Sequence, residues 1–391
     1  HQKTHLEFYK KAEQTGQMST ALSTITRLGN VPWMINSDIG NVFNAAMGMK
    51  SGFLSIPPKD YKETLSVPEL PVLNSGNFST NEAYKEAKKK VFKQYMDALN
   101  KFNGLHGKRT KYENLQKLVE AFSINGDILY MPYGFDFRGR IYPMNNYLSH
   151  YDEDLTRSLL KFWRAEPLGS HGFNWLKYQL AGVYGQDKLP FEARIAFVDK
   201  NIENILDSTK DPLKEAKWWI KGEKPWSTLS LCFEVANVIQ YVNNGGKAED
   251  FKSRIPISMD GSCNGLQHYA ALGADKEGGE AVNLLPDRER QDVYTAVLQK
   301  VTETLESNIK SNVTTQSYVN EVLLRIVSRK IVKQTVMTSV YGVTKYGAKR
   351  QIQDKIDSFI DSKDVHYHTL TERERVFLEN NRSEIASHLA N

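Results

Sequence analysis

The spacing of apolar residues changes along this chain, and the change limits the folds open to it. The first part reads as helix, with apolar positions recurring every three or four residues, as at Ile35, Ile39, Val42 and Phe43. From about residue 127 short runs such as "DILYMPYG" and "GRIYPM" alternate like strands and mix with amphipathic stretches over 170–183 and 192–207. From Pro286 onward the pattern is almost wholly helical again, with a polar break at "KSNVTTQS". This mixture predicts an α+β fold that is mostly helical.

Punctuation divides the chain further. "SIPPKDYKETLSVPELPVLNSGNFST" holds four prolines and a Ser/Asn/Gly cluster, which reads as an extended linker before a new unit. Two helices are expected after it, near 80–102 and 108–124, folded back on each other at "NGLHG". There is no internal repeat, and "NGGKAED" has the wrong spacing for a P-loop.

With 391 residues, 40% of them hydrophobic, the chain has enough apolar material for two or three cores. No window approaches the roughly 18 apolar residues of a membrane helix. The first residue is His1, so the chain reads as an internal fragment. Its two cysteines, Cys232 and Cys263, exclude a disulfide framework and a cysteine zinc site, and suit a reducing compartment. His366-Tyr367-His368 has chelating side chains but no third ligand nearby, and reads as a surface pair.

Charge distribution says more than the net +5. Between Lys85 and Lys111 nine basic residues, Lys88, Lys89 and Lys93 among them, face only Glu86 and Asp97. Tyr84, Phe92, Tyr95 and Phe102 are interleaved with them. Such a window fits a surface that tracks a nucleic-acid backbone, or a solvated helix face.

Three stretches carry candidate chemistry. In "ISMDGSCNGLQHYAAL", Ile255, Ile257 and Met259 alternate with polar residues, so a strand is expected to deliver Asp260 at its end on the opposite face. Gly261 and Gly265 leave backbone carbonyls uncovered beside it, which suits Mg²⁺; the alternative is a helix cap, a role that Asn264 fills more naturally. In "SRKIVKQTVMTSVYG", residues four apart put Arg325, Arg329, Lys333, Met337 and Tyr341 on one helical stripe, with about 18 Å from Arg329 to Tyr341. No acid lies between Glu321 and Asp354 to offset the cations, so an anion from elsewhere is expected, and a triphosphate fits the length and order; the alternative is a half-buried helix with a basic outer face. In "GFDFRGRIYP", Arg138 and Arg140 flank Gly139 in a tight turn with Asp136 placed to orient one of them, or the turn carries no more than a local ion pair.

Together the three stretches resemble, in composition and in order, motifs of the single-subunit DNA-directed RNA polymerases of phages and mitochondria, over roughly residues 18 to 357. "CNGLQHYAALGADKEGGEAVNLLP" and "SVYGVT" lean toward the mitochondrial, fungal branch. The resemblance implies a right-hand polymerase fold: 1–62 as the end of an N-terminal domain with a linker, 63–126 as thumb, 127–285 as first part of the palm, 286–391 as partial fingers. It implies DNA-templated RNA synthesis by nucleotidyl transfer in the mitochondrial matrix, with two Mg²⁺ ions in the complete enzyme. The implied partners are promoter and template DNA, RNA transcript, NTPs and a mitochondrial transcription initiation factor, and no membrane.

Residue by residue, the resemblance makes Asp260 a metal ligand with the Gly261 carbonyl as a second contact. Arg329 and Lys333 become triphosphate ligands and Tyr341 the sensor of the ribose 2′-hydroxyl. Arg140 and Lys188 lie near the nucleotide in this scheme, while Lys88, Lys89, Lys93, Arg138 and His268 contact nucleic acid. The family's second catalytic carboxylate belongs to a His-Asp motif, and no His-Asp pair occurs in this sequence. The tail from His366 resembles nothing in the family, so the chain is expected to be a polymerase fragment, inactive by itself. The competing expectation is a truncated, non-catalytic nucleic-acid-binding relative.

Overall fold

The computed structural model describes all residues except 1, 65–68, 70–78, 124–125, 215–216, 287–290, 312–316, 363–364 and 391. Parts of the expected proline-rich linker and most of the polar break at 310–317 therefore lie outside the described residues. The chain forms two compact units, His1–Ser258 and Met259–Asn391. Both are dominated by helices, and the sheets among the described residues are three two-stranded antiparallel ladders.

In the first unit β1 (Trp33–Ile35) leads into α1 (Ser37–Met47), whose Ile39, Val42, Phe43, Ala46 and Met47 are buried on one stripe. A single helix, α2 (Asn81–Ser123), then occupies the place of the expected helical pair. At 43 residues it is about 65 Å long. Gly104 and Gly107 were the expected turn, but neither has the positive φ that ends a helix, and the stretch contains no proline to interrupt the ladder. Each glycine costs about 1 kcal/mol against alanine, too little to break a helix anchored further on. The anchor is the stripe Arg109, Tyr112, Leu115 and Val119, the only buried residues described in α2. Phe43 of α1 meets the Tyr112 ring edge-on at 6.3 Å.

Arg109 belongs to that anchor rather than to a basic surface. Its guanidinium donates to the carbonyls of Pro57 and Met47 and pairs with Glu113. Lys111 is held by Asp152 and Glu153. The other basic residues of the window, including Lys88, Lys89 and Lys93, are exposed.

β2 (Tyr133–Phe135) and β3 (Ile141–Pro143) form a hairpin. β4 (Leu160–Phe162) pairs with β1, and β5 (Glu166–Pro167) with β6 (Lys252–Ser253). Behind them α3 (Pro225–Asn243) is buried on most sides, from Trp226 through Val238, as suits a helix apolar nearly all round. Its N-terminus is closed by Asp154, whose carboxylate accepts from the Trp226 and Ser227 amides at 2.8 and 3.0 Å. Cys232 lies inside this helix, and burial pushes its thiol up, away from reactivity. A cavity of about 540 Å³ sits beside these elements, walled by Trp33, Phe162, Tyr133, His150, Ile255 and Ile257.

The second unit packs around another cluster. α4 (Asn264–Gly273), α5 (Val293–Lys310), α6 (Ser317–Ile326), α7 (Arg329–Ser339) and α8 (Lys345–Ser362) carry it. On α8 the buried residues Ala348, Ile352, Ile356 and Ile360 recur every four positions. The tail joins this core: Leu378 on α9 (Glu372–Asn380) and Ile385 on α10 (Arg382–Leu389) are fully buried. Thr371 and Glu374 form a reciprocal cap at the start of α9, and His388 hydrogen-bonds Asn320 at 2.7 Å. Tyr367 is buried and donates to Glu379, while His368 beside it is exposed, as expected of a surface residue.

The expected basic stripe is broken between α6 and α7. Ile326 and Ile331 are both buried, yet five residues apart on one continuous helix they would point about 140° away from each other. Leaving the helix at Val327 and Ser328 lets both reach the core. Arg325 consequently belongs to a different helix from Lys333 and pairs with Glu374 at 2.9 Å.

Candidate active site

The loop that carries Asp260 is not a strand. β6 ends at Ser253, and 254–263 run without a ladder partner. Ile255 and Ile257 pack on the first core, but Met259 is 79% exposed, so the apolar alternation stops before it reaches Asp260. The Asp260 carboxylate is exposed, with Oδ1 accepting the Gly261 amide at 2.9 Å. Over Gly261 the Asn264 side chain folds so closely that a Cβ there would stand 2.1 Å from its Oδ1. Asn264 is the first residue of α4, and the capping position falls to Cys263, held at φ 108°, where a side chain is strained.

Gly265 is explained by packing rather than by an uncovered carbonyl. A Cβ on it would lie 2.6 Å from Val340 Cγ1, so α4 crosses directly over the end of α7. Tyr269 adds a contact of 3.5 Å from its hydroxyl to the Val340 carbonyl. Tyr341 follows at once, in the turn that ends at Gly342 with φ 75°, and its ring is 66% exposed. His268 is also exposed on α4.

On the other side of the loop stands Tyr294. Burial, and next its hydrogen bond with Cys263, push its phenol up to about 12. The Arg329 guanidinium lies 5.1 Å and the Lys333 ammonium 5.8 Å from its ring centroid. Lys333 is exposed and has no carboxylate partner among the described residues. Arg329, by contrast, is already paired: its Nε and Nη2 meet the two oxygens of Asp292 at 2.5 and 3.2 Å. Burial would raise the Asp292 pKa, but Arg329 and the Thr295 and Tyr294 donors hold it below the usual range. The anion expected from elsewhere is thus, for Arg329, a carboxylate of the same chain.

The remaining expected site residues belong to the first unit. The hairpin turn after β2 is held by Asp136, which accepts from the amides of Arg138 and Arg140 at 2.9 Å each and pairs with the Arg138 guanidinium. Gly139, at φ 79°, permits that turn. Both arginines are exposed, with Arg138 against the fully exposed Phe137 ring. Lys188 pairs with its neighbour Asp187 at 2.6 Å.

Among the described residues no three His, Cys, Asp or Glu side chains gather into a protein-only cage. Asp260 supplies one exposed carboxylate whose Oδ2 has no donor among the described residues. One hard oxygen ligand completed by water and a substrate phosphate is the way Mg²⁺ is commonly held, so the residue present fits half of such a site. Sequence reading missed Asp292, Tyr294 and Asn283. Asp292 has a visible signal, an aspartate directly before an apolar helical run, and it does cap α5. Asn283 has none: its side chain ties Ser262 of the loop to Gln291.

A family model described as DNA-dependent RNA polymerase matches residues 166–390. The match includes the tail after 357, which the sequence reading left outside the family. Over 353 residues the chain is 37% identical to the mitochondrial DNA-directed RNA polymerase of Schizosaccharomyces pombe, covering 90% of this chain and 29% of that protein. With the Neurospora crassa enzyme of the same name it shares 38% over 344 residues, 88% of this chain and 23% of that one. With the human one it shares 36% over 345 residues, 87% and 26%. The chain therefore spans about a quarter of the length of these relatives.

The close approach at Gly265 has a measurable cost. Gly265→Ala gains about 1 kcal/mol of helix propensity but forces a contact too short for any real Cβ, which overpacking data put at about 1–3 kcal/mol. A net loss of stability of about 1 kcal/mol is expected in urea unfolding of this chain. In a Val340→Ala background the same change should become neutral or stabilising; equal stability of parent and Gly265→Ala would contradict the contact.

Proposed function

The chain belongs to the family of DNA-dependent RNA polymerases, and from that premise we propose that it is part of a mitochondrial enzyme that copies DNA into RNA. The observation that carries the reading is the crossing of α4 over α7 at Gly265, because it links the Asp260 loop to the helix of Lys333 and the turn of Tyr341. A carboxylate, a cation and a phenol match the metal, phosphate and sugar of a nucleoside triphosphate. The non-catalytic alternative is not favoured, since the matched relatives are named polymerases.

In this reading Asp260 holds Mg²⁺, with the Gly261 carbonyl as a second contact, and a bound metal would align a 3′-hydroxyl with the α-phosphate and neutralise developing charge. Lys333, exposed and without an acid partner among the described residues, takes the triphosphate as a point charge, and Arg329 adds a fork to it. Tyr341 faces the ribose edge, where a phenol tells a 2′-hydroxyl from its absence. Arg140 and Lys188 are assigned to the nucleotide in this reading, and Arg138 and His268 to the nucleic acid. The exposed part of α2 acts as thumb surface, with Lys88, Lys89 and Lys93 on backbone phosphates. Palm and fingers correspond to 127–285 and 286–391. Template and promoter DNA, transcript, NTPs and an initiation factor are the partners, the second metal and its carboxylate come from residues outside this sequence, and the chain by itself is inactive.

Asp260→Asn in a chain of the relatives' full length is expected to reduce transcript extension more than about a hundredfold, the several kcal/mol of lost charge stabilisation, while DNA binding persists. Extension near the parental rate would remove Asp260 from the metal. On the present chain, log K for DNA should fall linearly with log salt, and replacing Lys88, Lys89 and Lys93 by Gln should flatten the slope by up to about 3. An unchanged slope would make those lysines solvated surface.

A further inference from the structure

Arg329 and Asp292 meet edge to edge. The guanidinium uses its Nε–Nη2 side on the carboxylate, at 2.5 and 3.2 Å, and its side chain remains 32% exposed. That geometry leaves Nη1 and the outer N–H of Nη2 without a partner among the described residues, so the end-on edge of the fork is available to a second planar or tetrahedral anion. Asp292 is itself fixed: it caps α5 through the Tyr294 amide at 3.1 Å and accepts the Thr295 hydroxyl at 3.1 Å. The Tyr294 ring beneath bears on both Arg329 and Lys333. A flexible arginine is thereby reduced to one orientation, beside a lysine that has no carboxylate partner among the described residues.

We propose that Asp292 is a positioning residue for triphosphate recognition, holding Arg329 side-on so that its end-on edge and Lys333 grip one polyphosphate together. This rests on the reading of α7 as the triphosphate helix. It gives Asp292 the opposite sign from simple electrostatics. A carboxylate near an anion site repels the anion, so its removal should tighten binding unless its orienting effect on Arg329 dominates.

The test uses inorganic tripolyphosphate as the probe and titrates this chain calorimetrically, which separates the inference from polymerase activity. Asp292→Glu, which keeps the charge but moves the carboxylate by one methylene, should weaken binding roughly tenfold, the scale of one charge-assisted hydrogen bond. Asp292→Asn keeps the helix cap and should also weaken it; it stands in if circular dichroism shows the Glu variant unfolded. In an Arg329→Ala background neither change should weaken binding further, because there is no fork left to orient. Tighter or unchanged binding in the Asp292 variants, an equal loss in both backgrounds, or no tripolyphosphate binding by the parent would each overturn the proposal. Failure of the polymerase reading would show separately, as absence of templated NTP incorporation by a full-length chain that still binds tripolyphosphate through Arg329.

Discussion

The arrangement of the second unit depends on one close contact, the backbone of Gly265 against the side chain of Val340. A helix that carries any Cβ at that point has to stand off from α7, and the Asp260 loop would stand off with it. Gly265 therefore does geometric work that its sequence context hides. It lies in "CNGLQH", where a glycine near a helix start reads as loop flexibility or as an uncovered carbonyl. The cost of a helical glycine, about 1 kcal/mol, is offset by an approach that no other residue allows.

Charge compensation follows a similar logic. Seen as a sequence, the cations from Arg325 to Lys333 have no acid between Glu321 and Asp354 to offset them, and an external anion is the natural inference. In three dimensions Arg325 meets Glu374 and Arg329 meets Asp292, from 49 and 37 positions away in the chain. Lys330 and Lys333 are both exposed and left without such a partner among the described residues, and of the two it is Lys333 that shares the Tyr294 ring with the oriented guanidinium of Arg329. The distribution is what a site with a defined phosphate position needs, since two freely rotating cations bind an anion anywhere along the helix.

What was legible in the sequence were features whose cause is local. The mixture of periods foretold mostly helical units with short strands, and "FDFRGR" foretold a tight turn with Asp136 beside one of its arginines; the structure adds that the same carboxylate accepts from the turn's amides. Features with a distant cause were not legible. Gly104 and Gly107 look like a turn, but the anchor that keeps α2 continuous lies at Arg109 to Val119 and in the carbonyls of Met47 and Pro57. After β6 ends at Ser253 one backbone bond follows, from the Phe162 amide to the Arg254 carbonyl, and no ladder continues from it, which alternation alone does not reveal. The tail looked foreign because its motif content is low, yet its apolar residues at Leu378 and Ile385 fit a core built by α6 and α8.

The central claim is that Asp260 holds a divalent metal next to the Lys333–Tyr341 end of α7. Iron(II) replaces magnesium at oxygen-ligand sites and, with a peroxide and a reductant, cuts nearby backbone through hydroxyl radicals. In a full-length chain with NTP and DNA bound, the account predicts cuts centred on the Asp260 loop and on the turn at Tyr341, suppressed by excess Mg²⁺ and lost in Asp260→Asn. Cuts elsewhere that persist in Asp260→Asn would contradict it.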